Sequence, residues 1–380
     1  MHAEESIKRF GCYIQKLINR EDLSRTESYT LFCQILNDEQ PDLQQGAFLA
    51  ALAAKGETPE EIVGAWQAIF ERDTVRTEDD LGVPLVENSG TGMDALKTFN
   101  VSSAAAVVAA AGGVRMARHG ARALTSSCGT VDLLEALGLD VECDVATVAR
   151  SIRTTGIGLF NGMSPATHPR SLARILSQIR FGSTLNIAAS LASPCRPTHG
   201  LRGVYSEDLI APAATVMKAI GYRRALVVHG LDADGRRGMD ELSNLGVSRV
   251  REIHTDGSES TFTLEPEDVG LPRRAYAEIA ASGDRSREAV RFLQTVGGVE
   301  KGGCEEITCL NAGALFYLVD QTPRLAEGVR RARALIREGQ ALRKMVHWAA
   351  TQADPAGEGL RRLQAVADQA GLGPAVRAAL

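Results

Sequence analysis

Residues 86–100 (VENSGTGMDALKTFN) form a glycine-rich segment that leads through Ser102 and Ser103 into a small-residue helical run. At such a helix start, backbone N–H groups and hydroxyls converge with the positive end of the helix dipole, which favours anions. Gly90 and Gly92 allow backbone conformations closed to residues with a Cβ and let a phosphate approach the main chain. The segment therefore predicts a phosphate-binding loop. An ordinary strand–turn–helix corner with a polar N-cap is the alternative.

A second chemical feature is the pair Asp240-Glu241 in GMDELS, which follows a short apolar strand at residues 225–230. Adjacent carboxylates at the end of a buried strand are costly unless a cation or a donor compensates them. Mg²⁺ that accompanies a polyphosphate is such a cation. The pair predicts a magnesium site beside the phosphate loop, and a solvated turn is the alternative.

The elements that must position these residues change in character near residue 80. Residues 4–75 have helical apolar spacing with few β-branched runs. Beyond them, short apolar strands alternate with helical segments, as a parallel α/β sheet requires. Three of these strands are predicted at residues 114–117, 156–160 and 225–229. Phosphate ligands are expected at the carboxyl ends of such strands.

The sequence thus predicts the α/β class, with a small N-terminal helical domain and a large α/β domain whose central sheet is mainly parallel. We place the helical domain at residues 1–78 and the α/β domain at 79–352. A helical extension follows at 353–380, after a short linker that contains Pro and Gly.

Composition agrees with an intracellular enzyme. The 380 residues are 44% hydrophobic, enough for a large core. A net charge of −5 gives no general attraction to nucleic acid or anionic membrane. The opening segment has no signal-peptide apolar core, and the seven cysteines lack metal-type spacing, so we expect a cytoplasmic protein with reduced thiols. The Arg-rich stretch at 330–344 is interpreted as a solvated helix face.

Three motifs in this order resemble the anthranilate phosphoribosyltransferase family. GTGMD-xxx-TFNVSS at 90–103 is similar to the family's GTGGD-xxx-TFNIST, and RHGARALTSSCGTVDLLEALG at 118–138 is similar to KHGNR…SS…G…D-LEALG. GMDELS at 238–243 is similar to GLDE(I/L)S. The likeness continues over roughly residues 10–345. The chain is therefore identified as a member of this family of class IV phosphoribosyltransferases, whose fold is related to the pyrimidine nucleoside phosphorylases.

The resemblance implies transfer of a 5-phosphoribosyl group from phosphoribosyl pyrophosphate (PRPP) to a nitrogen nucleophile, with release of Mg²⁺-pyrophosphate. It assigns PRPP binding to Gly90, Thr91, Gly92, Asp94, Thr98, Asn100, Ser102, Ser103, Arg118 and Ser126. It assigns the metal to Ser102, Asp240 and Glu241. For Thr98, Asn100 and Ser102, helix capping is the alternative.

On the acceptor side, His119, Ala121, His168 and Arg174 match or replace family positions. Ala121 stands where the family has the Asn that contacts anthranilate, and the family's GxRT is GST at 182–184. The acceptor-side arginine therefore has three candidates, of which Arg174 is favoured because it lies in a helical stretch; the others are Arg170 and Arg180. On the donor side, Met93 replaces the second glycine of GTGGD and is expected to reshape the loop.

Donor motifs are retained and acceptor motifs diverge, which favours a phosphoribosyltransferase with another aromatic or heteroaromatic acceptor. True anthranilate transfer, in tryptophan biosynthesis, is the alternative. A nucleoside phosphorylase and a non-catalytic protein that binds nucleic acid or a protein partner remain open from other classes. The resemblance also implies a homodimer formed through the helical region, in which the segment at 165–192 returns to the helical domain and forms one wall of the cleft.

Overall fold

The computed structural model describes residues 2–78, 81–82, 84–92, 94–122 and 128–380. Four helices precede the first strand. They are α1 His2–Ile18, α2 Arg25–Leu36, α3 Asp42–Lys55 and α4 Pro59–Arg72. Two of them begin at capping boxes, in which Ser24 pairs with Glu27 and Thr58 with Glu61. Each box satisfies N–H groups that a helix start leaves unpaired, so local sequence sets these boundaries.

Two later helices, α8 Leu172–Ile179 and α9 Thr184–Leu191, complete the helical part of the molecule. Their apolar side chains share one hydrophobic core with the first four helices. The indole N–H of Trp66, in α4, donates to the carbonyl of Leu191 at 3.0 Å. Helices far apart in sequence therefore meet in a single core.

The described part of the remaining chain is built on one sheet of eight strands. The strands are β1 Leu85–Ser89, β2 Arg115–Gly120, β3 Ile157–Asn161, β4 His199–Gly203, β5 Arg224–Leu231, β6 Gly238–Met239, β7 Ser248–Ile253 and β8 Glu259–Leu264. Their order is β3-β2-β1-β4-β5-β7-β8, and β6 pairs with β5. The first five strands in this order are parallel, while β6, β7 and β8 are antiparallel to their neighbours. The prediction of a mainly parallel sheet is confirmed; the β7–β8 hairpin was not anticipated.

Alternation along the parallel strands divides their side chains between two faces. On β1, Val86 joins the large core of the α/β part, whereas Leu85 joins a separate core on the opposite face. On β2, Met116 and Ala117 are divided in the same way. Arg118 and His119, the next two residues, therefore point to opposite faces of the sheet.

The other helices cover the sheet and one another. They are α5 Val101–Ala111, α6 Thr130–Ala136, α7 Val145–Thr155, α10 Ile210–Ala219, α11 Tyr276–Ile279, α12 Arg285–Val296, α13 Gly303–Leu318, α14 Leu325–Arg337, α15 Gln340–Thr351, α16 Glu358–Gln369 and α17 Gly373–Ala379. Helix α13 is buried almost along its whole length and packs on α5 and α14. The α13–α14 packing is close because glycines meet there: a Cβ on Gly313 would lie 2.6 Å from the Val329 nitrogen.

The last two helices belong to the same body as the α/β part, because Leu363, Ala367 and Val376 lie in its large core. At its edge Gly359 approaches Gly138 so closely that a Cβ on Gly359 would lie 2.0 Å from the Gly138 carbonyl oxygen. Within the ranges described, none of the helices is long and apolar enough to cross a membrane.

Candidate active site

The glycine-rich loop and the acidic pair meet at the carboxyl edge of the sheet. The N–H of Gly92 donates to Oδ2 of Asp240 at 2.6 Å. The N–H of Ser102, in the first turn of α5, donates to Oε1 of Glu241 at 3.2 Å. A carboxylate at a helix N-terminus is favoured by the helix dipole. Two segments about 140 residues apart in the chain therefore form one site.

The two loop glycines are needed for different reasons. Gly92 has a φ of +73°, and no atom of the described residues outside its immediate chain neighbours lies within 4 Å of the position where its Cβ would be. Gly90 has no positive φ. A Cβ on Gly90 would lie 2.2 Å from Oδ2 of Asp240, so this glycine is required for contact with the carboxylate rather than for its backbone conformation.

Three acidic groups crowd this site. Burial, followed by the charge of Asp240, raises the pKa of Asp94 to about 6, although Lys97 contacts it at 3.1 Å. Burial and then Asp240 raise the pKa of Glu241 well above its ordinary value, against the opposing effect of Arg118. Carboxylates that raise one another's pKa values favour a cation among them.

Arg118 lies beneath the start of α5, on the face of the sheet that this helix covers. Its Nη1 donates at 2.7 Å to Oδ1 of Asn88 and also to the carbonyl of Ser102. Burial lowers the pKa of Arg118 to about 10, while Glu241 and Glu87 oppose this shift. The guanidinium therefore remains charged at neutral pH beneath the phosphate loop.

Three residues of the glycine-rich loop, helix α5 and strand β2 carry buried polar atoms that lack hydrogen-bond partners in the part of the chain that the structure describes. Oγ1 of Thr91, Oγ of Ser103 and Nε of Arg118 are buried and have no hydrogen-bond partner among the described residues. Asn100 is the N-cap residue of α5, yet its side chain makes no capping hydrogen bond there. Thr98 forms an isolated β-bridge with Ala280. Buried hydroxyls and N–H groups without partners are costly, which indicates a polar ligand.

The acidic residues fit a magnesium ion that is shared with a diphosphate. Among the described residues, no three His, Cys, Asp or Glu side chains form a group that could hold a metal ion. Mg²⁺ retains several waters and is usually bound through one or two carboxylates together with substrate phosphates. Asp240 and Glu241 are sufficient for that kind of binding.

Two histidines meet on the other face of the sheet. Nε2 of His119 lies 3.4 Å from Nε2 of His168, and Nδ1 of His168 lies 3.2 Å from the Asp73 carbonyl oxygen. Burial lowers the pKa of His119 to about 4. Burial and then the charge of His119 lower the pKa of His168 to about 3. Both rings are therefore neutral at pH 7.

The structure places Arg174 elsewhere than expected. Its guanidinium donates to Asp42 at 2.9 Å and to Asp38 at 2.8 Å, so it ties α8 to the first helices instead of lying with the two histidines. Arg170 donates to Asn37, and Arg180 is exposed. An arginine on an amphipathic helix pairs with whichever carboxylates its exposed face meets, and sequence spacing does not identify them.

Ala121 is exposed just beyond β2. Two other predicted features, Met93 and Ser126, lie outside the described residues.

One buried arginine was missed by the sequence analysis. Arg202 is 4% exposed and lies in β4 opposite Ser89 of β1. Its Nη1 donates to Oγ of Ser89 at 2.8 Å, and its Nη2 donates to Oγ of Ser190 at 2.7 Å. Its charge contributes to the lowered pKa of His119. The available signal was a lone charge within the otherwise apolar and glycine-rich stretch GLRGV.

Two family models match the chain. The helical bundle domain of a glycosyl transferase family matches residues 12–72. The a/b domain of a glycosyl transferase family matches residues 82–342.

Individual proteins that are similar to this chain agree with the two family matches. An anthranilate phosphoribosyltransferase from Anaeromyxobacter dehalogenans is 37% identical over 346 residues, which cover 90% of this chain and 98% of the relative. The crystal structure of anthranilate phosphoribosyltransferase from Thermus thermophilus superposes with a TM-score of 0.79 at 33% identity, covering 89% of this chain and 98% of that one. The enzyme from Saccharomyces cerevisiae in complex with PRPP and Mg has a TM-score of 0.78 at 25% identity, covering 92% and 99%.

Proposed function

The chain belongs to the glycosyl transferase family that includes these anthranilate phosphoribosyltransferases, and on that basis we propose that it transfers the 5-phosphoribosyl group of PRPP to anthranilate. One observation carries the proposal: the phosphate loop and the acidic pair meet through the Gly92–Asp240 and Ser102–Glu241 hydrogen bonds. A phosphate loop beside a cation site is what a diphosphate leaving group requires.

The donor would lie against the loop from Gly90 to Ser103. Thr91, Ser103 and Arg118 supply the donor groups that lack partners within the described chain. Thr98 and Asn100 line the same turn, and Ser126 is assigned to this site from the resemblance alone. Mg²⁺, held by Asp240 and Glu241 with Ser102 beside them, neutralises charge on the pyrophosphate when it is bound.

The reaction requires little covalent help from the protein. The acceptor nitrogen forms a bond to C1 of the ribose while the bond from C1 to pyrophosphate breaks. Positive charge develops on the ribose, so the protein acts by positioning the two substrates and by stabilising the leaving group. Arg118 stays charged beneath the loop and holds phosphate oxygens through this step.

The acceptor would lie beside His119 and His168, whose rings are neutral at pH 7. The amine of anthranilate is an aryl amine and is unprotonated at pH 7 without help from the protein. A neutral ring beside it can accept the proton that the nitrogen loses as it bonds to C1. The expectation of a different acceptor has no support from the relatives, which are named for anthranilate at up to 37% identity over 90% of this chain. Ala121, which replaces the family's Asn, is exposed. The loss of the Asn amide therefore leaves no buried polar group without a hydrogen-bond partner.

The test is a steady-state assay of the purified protein with anthranilate, PRPP and Mg²⁺, which follows consumption of anthranilate by its fluorescence. Turnover on the order of 10 per second, the median for enzymes, is expected. Absence of turnover together with turnover of another aromatic amine would restore the alternative acceptor. Absence of PRPP binding would instead favour a non-catalytic member of the family.

We propose in addition that the protein is cytoplasmic and forms a homodimer through its helical part. The resemblance supports both statements. Dimerisation draws further support from Leu43 and Ile18, which are 89% and 60% exposed on the helical part.

A further inference from the structure

We propose that Arg202 binds the carboxylate of the acceptor and so determines which aromatic amines the enzyme accepts. This inference rests on the proposed function, since it concerns the acceptor of the same reaction. The sequence favoured Arg174, in a helical stretch, as the arginine that contacts the acceptor. The proposal gives this contact to a residue of strand β4 instead.

The first support is position. Arg202 pairs in register with Ser89, the residue directly before the phosphate loop. Alternation places Arg202, Ser89 and His119 on one face of the sheet, while Arg118 and Asn88 lie on the donor face. The guanidinium therefore lies beside the loop, on the face of the two histidines.

The second support is charge. Anthranilate carries a carboxylate beside its amine, and a carboxylate taken out of water needs a cation or strong donors. His119 and His168 are neutral at pH 7 and supply no such charge. Arg174 is held by Asp38 and Asp42. On this face of the sheet, the guanidinium of Arg202 supplies the positive charge that such a carboxylate requires.

The third support is the way in which Arg202 is held. Its two hydrogen bonds within the described chain are to neutral hydroxyls, of Ser89 and Ser190, and use two of its five N–H groups. Ser89 in turn donates to Glu87 at 2.6 Å, and Tyr222 donates to the other oxygen of Glu87 at 2.6 Å. The acid thus orients the guanidinium through a hydroxyl and does not pair with it directly. The guanidinium is held in a fixed orientation but is not paired with a carboxylate of the described residues. It is therefore suited to bind the carboxylate of a ligand through two N–H groups.

The experiment compares anthranilate with anthranilamide, which lacks the carboxylate, in the wild type, Arg202→Gln and Arg202→Lys. Loss of a charge-assisted pair should raise the KM for anthranilate roughly 10- to 100-fold in Arg202→Gln and leave the KM for PRPP within about twofold. The preference for anthranilate over anthranilamide should fall by the same factor. Arg202→Lys should restore part of it, because it retains the charge without the fork.

Arg251→Gln is the matched control. Arg251 lies in β7 of the same sheet and pairs with Glu259 at 2.7 Å, so its loss should alter neither KM. Should Arg202→Gln fold poorly, Ser190→Ala removes one of the two bonds that orient the guanidinium and should raise only the KM for anthranilate. Equal effects on both acceptors, an equal rise in the KM for PRPP, or an unchanged KM for anthranilate would overturn the proposal.

Failure of the proposed function gives a different result, because the wild type then does not turn over anthranilate. Calorimetric titration with benzoate tests the arginine in that case. Weaker binding to Arg202→Gln than to the wild type supports the carboxylate site, and equal binding overturns it.

Discussion

At the residue scale, the proposed donor site depends on two carboxylates that accept hydrogen bonds from the backbone of the glycine-rich loop and of the start of α5. Asp240 accepts the Gly92 N–H and lies against Gly90, where a side chain would collide with it. Glu241 accepts the N–H at the start of α5. The same two carboxylates thus hold the loop, and in the proposed function they also bind the magnesium ion.

The first prediction concerns these carboxylates. The double variant Asp240→Asn, Glu241→Gln retains side-chain size and hydrogen-bond acceptors but replaces both carboxyl groups by amides, which cannot ionise to bind a cation. We expect Mg²⁺-dependent binding of PRPP, measured by calorimetry, to weaken roughly 100-fold or more, because the pyrophosphate loses its cation. Glu259→Gln, on the surface hairpin, is the control and should bind as the wild type does. Undiminished binding would remove the proposed metal site.

The second prediction separates the two glycines. Gly90→Ala should displace Asp240 and raise the KM for PRPP, because the new Cβ would lie 2.2 Å from its Oδ2. The new Cβ in Gly92→Ala meets no atom of the residues that the structure describes. This change should therefore mainly lower the free energy of unfolding, by about 1 kcal/mol for a side chain at positive φ. Steady-state kinetics and urea unfolding of both variants provide the test. A KM for PRPP that is unchanged in Gly90→Ala would contradict the proposed geometry.

The third prediction is a pH dependence of stability. Burial lowers the pKa of His168 to about 3, so the unfolded chain binds this proton first as the pH falls below 6.5, the ordinary value. The stabilisation is complete above pH 6.5 and is lost toward pH 3, at up to about 1.4 kcal/mol per pH unit. His168→Gln should therefore flatten the fall in the free energy of unfolding between about pH 6.5 and pH 4.

Urea unfolding at several pH values measures this slope. The control is His347→Gln, an exposed histidine in α15, which should leave the slope as in the wild type. Equal slopes for His168→Gln and the wild type would show that the buried histidine is not responsible.

At the element scale, helix α16 is held by apolar packing in the large core of the α/β part. Leu363 is fully buried in the large core, which also contains side chains of α6 and α12. Gln352, the C-cap residue of α15 just before the extension, is fully buried and hydrogen-bonded to the backbone of Leu159 in β3 through both its amide oxygen and its nitrogen. The extension therefore stabilises the α/β part, although the resemblance to the family ends near residue 345.

The fourth prediction follows from this packing. Leu363→Ala should lower the free energy of unfolding by about 2–5 kcal/mol, the range for a leucine removed from a packed core. The KM values for both substrates should stay unchanged in the folded fraction. Arg361→Ala, on the exposed face of the same helix, should change stability by less than about 0.5 kcal/mol. A small effect of Leu363→Ala on unfolding would show that the extension packs loosely.

At the scale of the whole molecule, the helical part carries both a shared core and exposed apolar side chains. Apolar side chains are frequent from Leu31 to Leu52, in the helical part of the chain. The structure buries most of these within the helical core itself, together with residues of α8 and α9. The argument for a second subunit therefore depends on Leu43 and Ile18, which remain exposed.

The fifth prediction is that the protein in solution has about twice the chain mass of 40.6 kDa, measured by light scattering. Leu43→Asp should shift the mass toward the monomer, because a buried unpaired charge opposes association. Val299→Asp, at an exposed apolar residue of the α/β part, should leave the mass unchanged. A wild-type mass of 40.6 kDa without concentration dependence would refute the dimer.

The sequence by itself determined the family and the fold class, and it predicted that the glycine-rich loop and the acidic pair lie at the ends of strands. These features follow from local patterns: apolar periodicity, capping residues and glycine-rich turns act over a few neighbouring positions. Strand limits predicted in this way differ from the structure by a few residues, as for β2, because edges depend on pairing.

Only the tertiary structure decided which side chains meet. Arg174 lies in the predicted helical stretch but pairs with Asp38 and Asp42, whereas Arg202, an unremarked charge in a short strand, lies beside Ser89 and Ser190. Alternation along β2 puts Arg118 and His119 on opposite faces, but which elements cover each face depends on how the helices pack on the sheet. Contacts between residues more than 100 positions apart arise from packing of whole elements, which local sequence patterns do not encode.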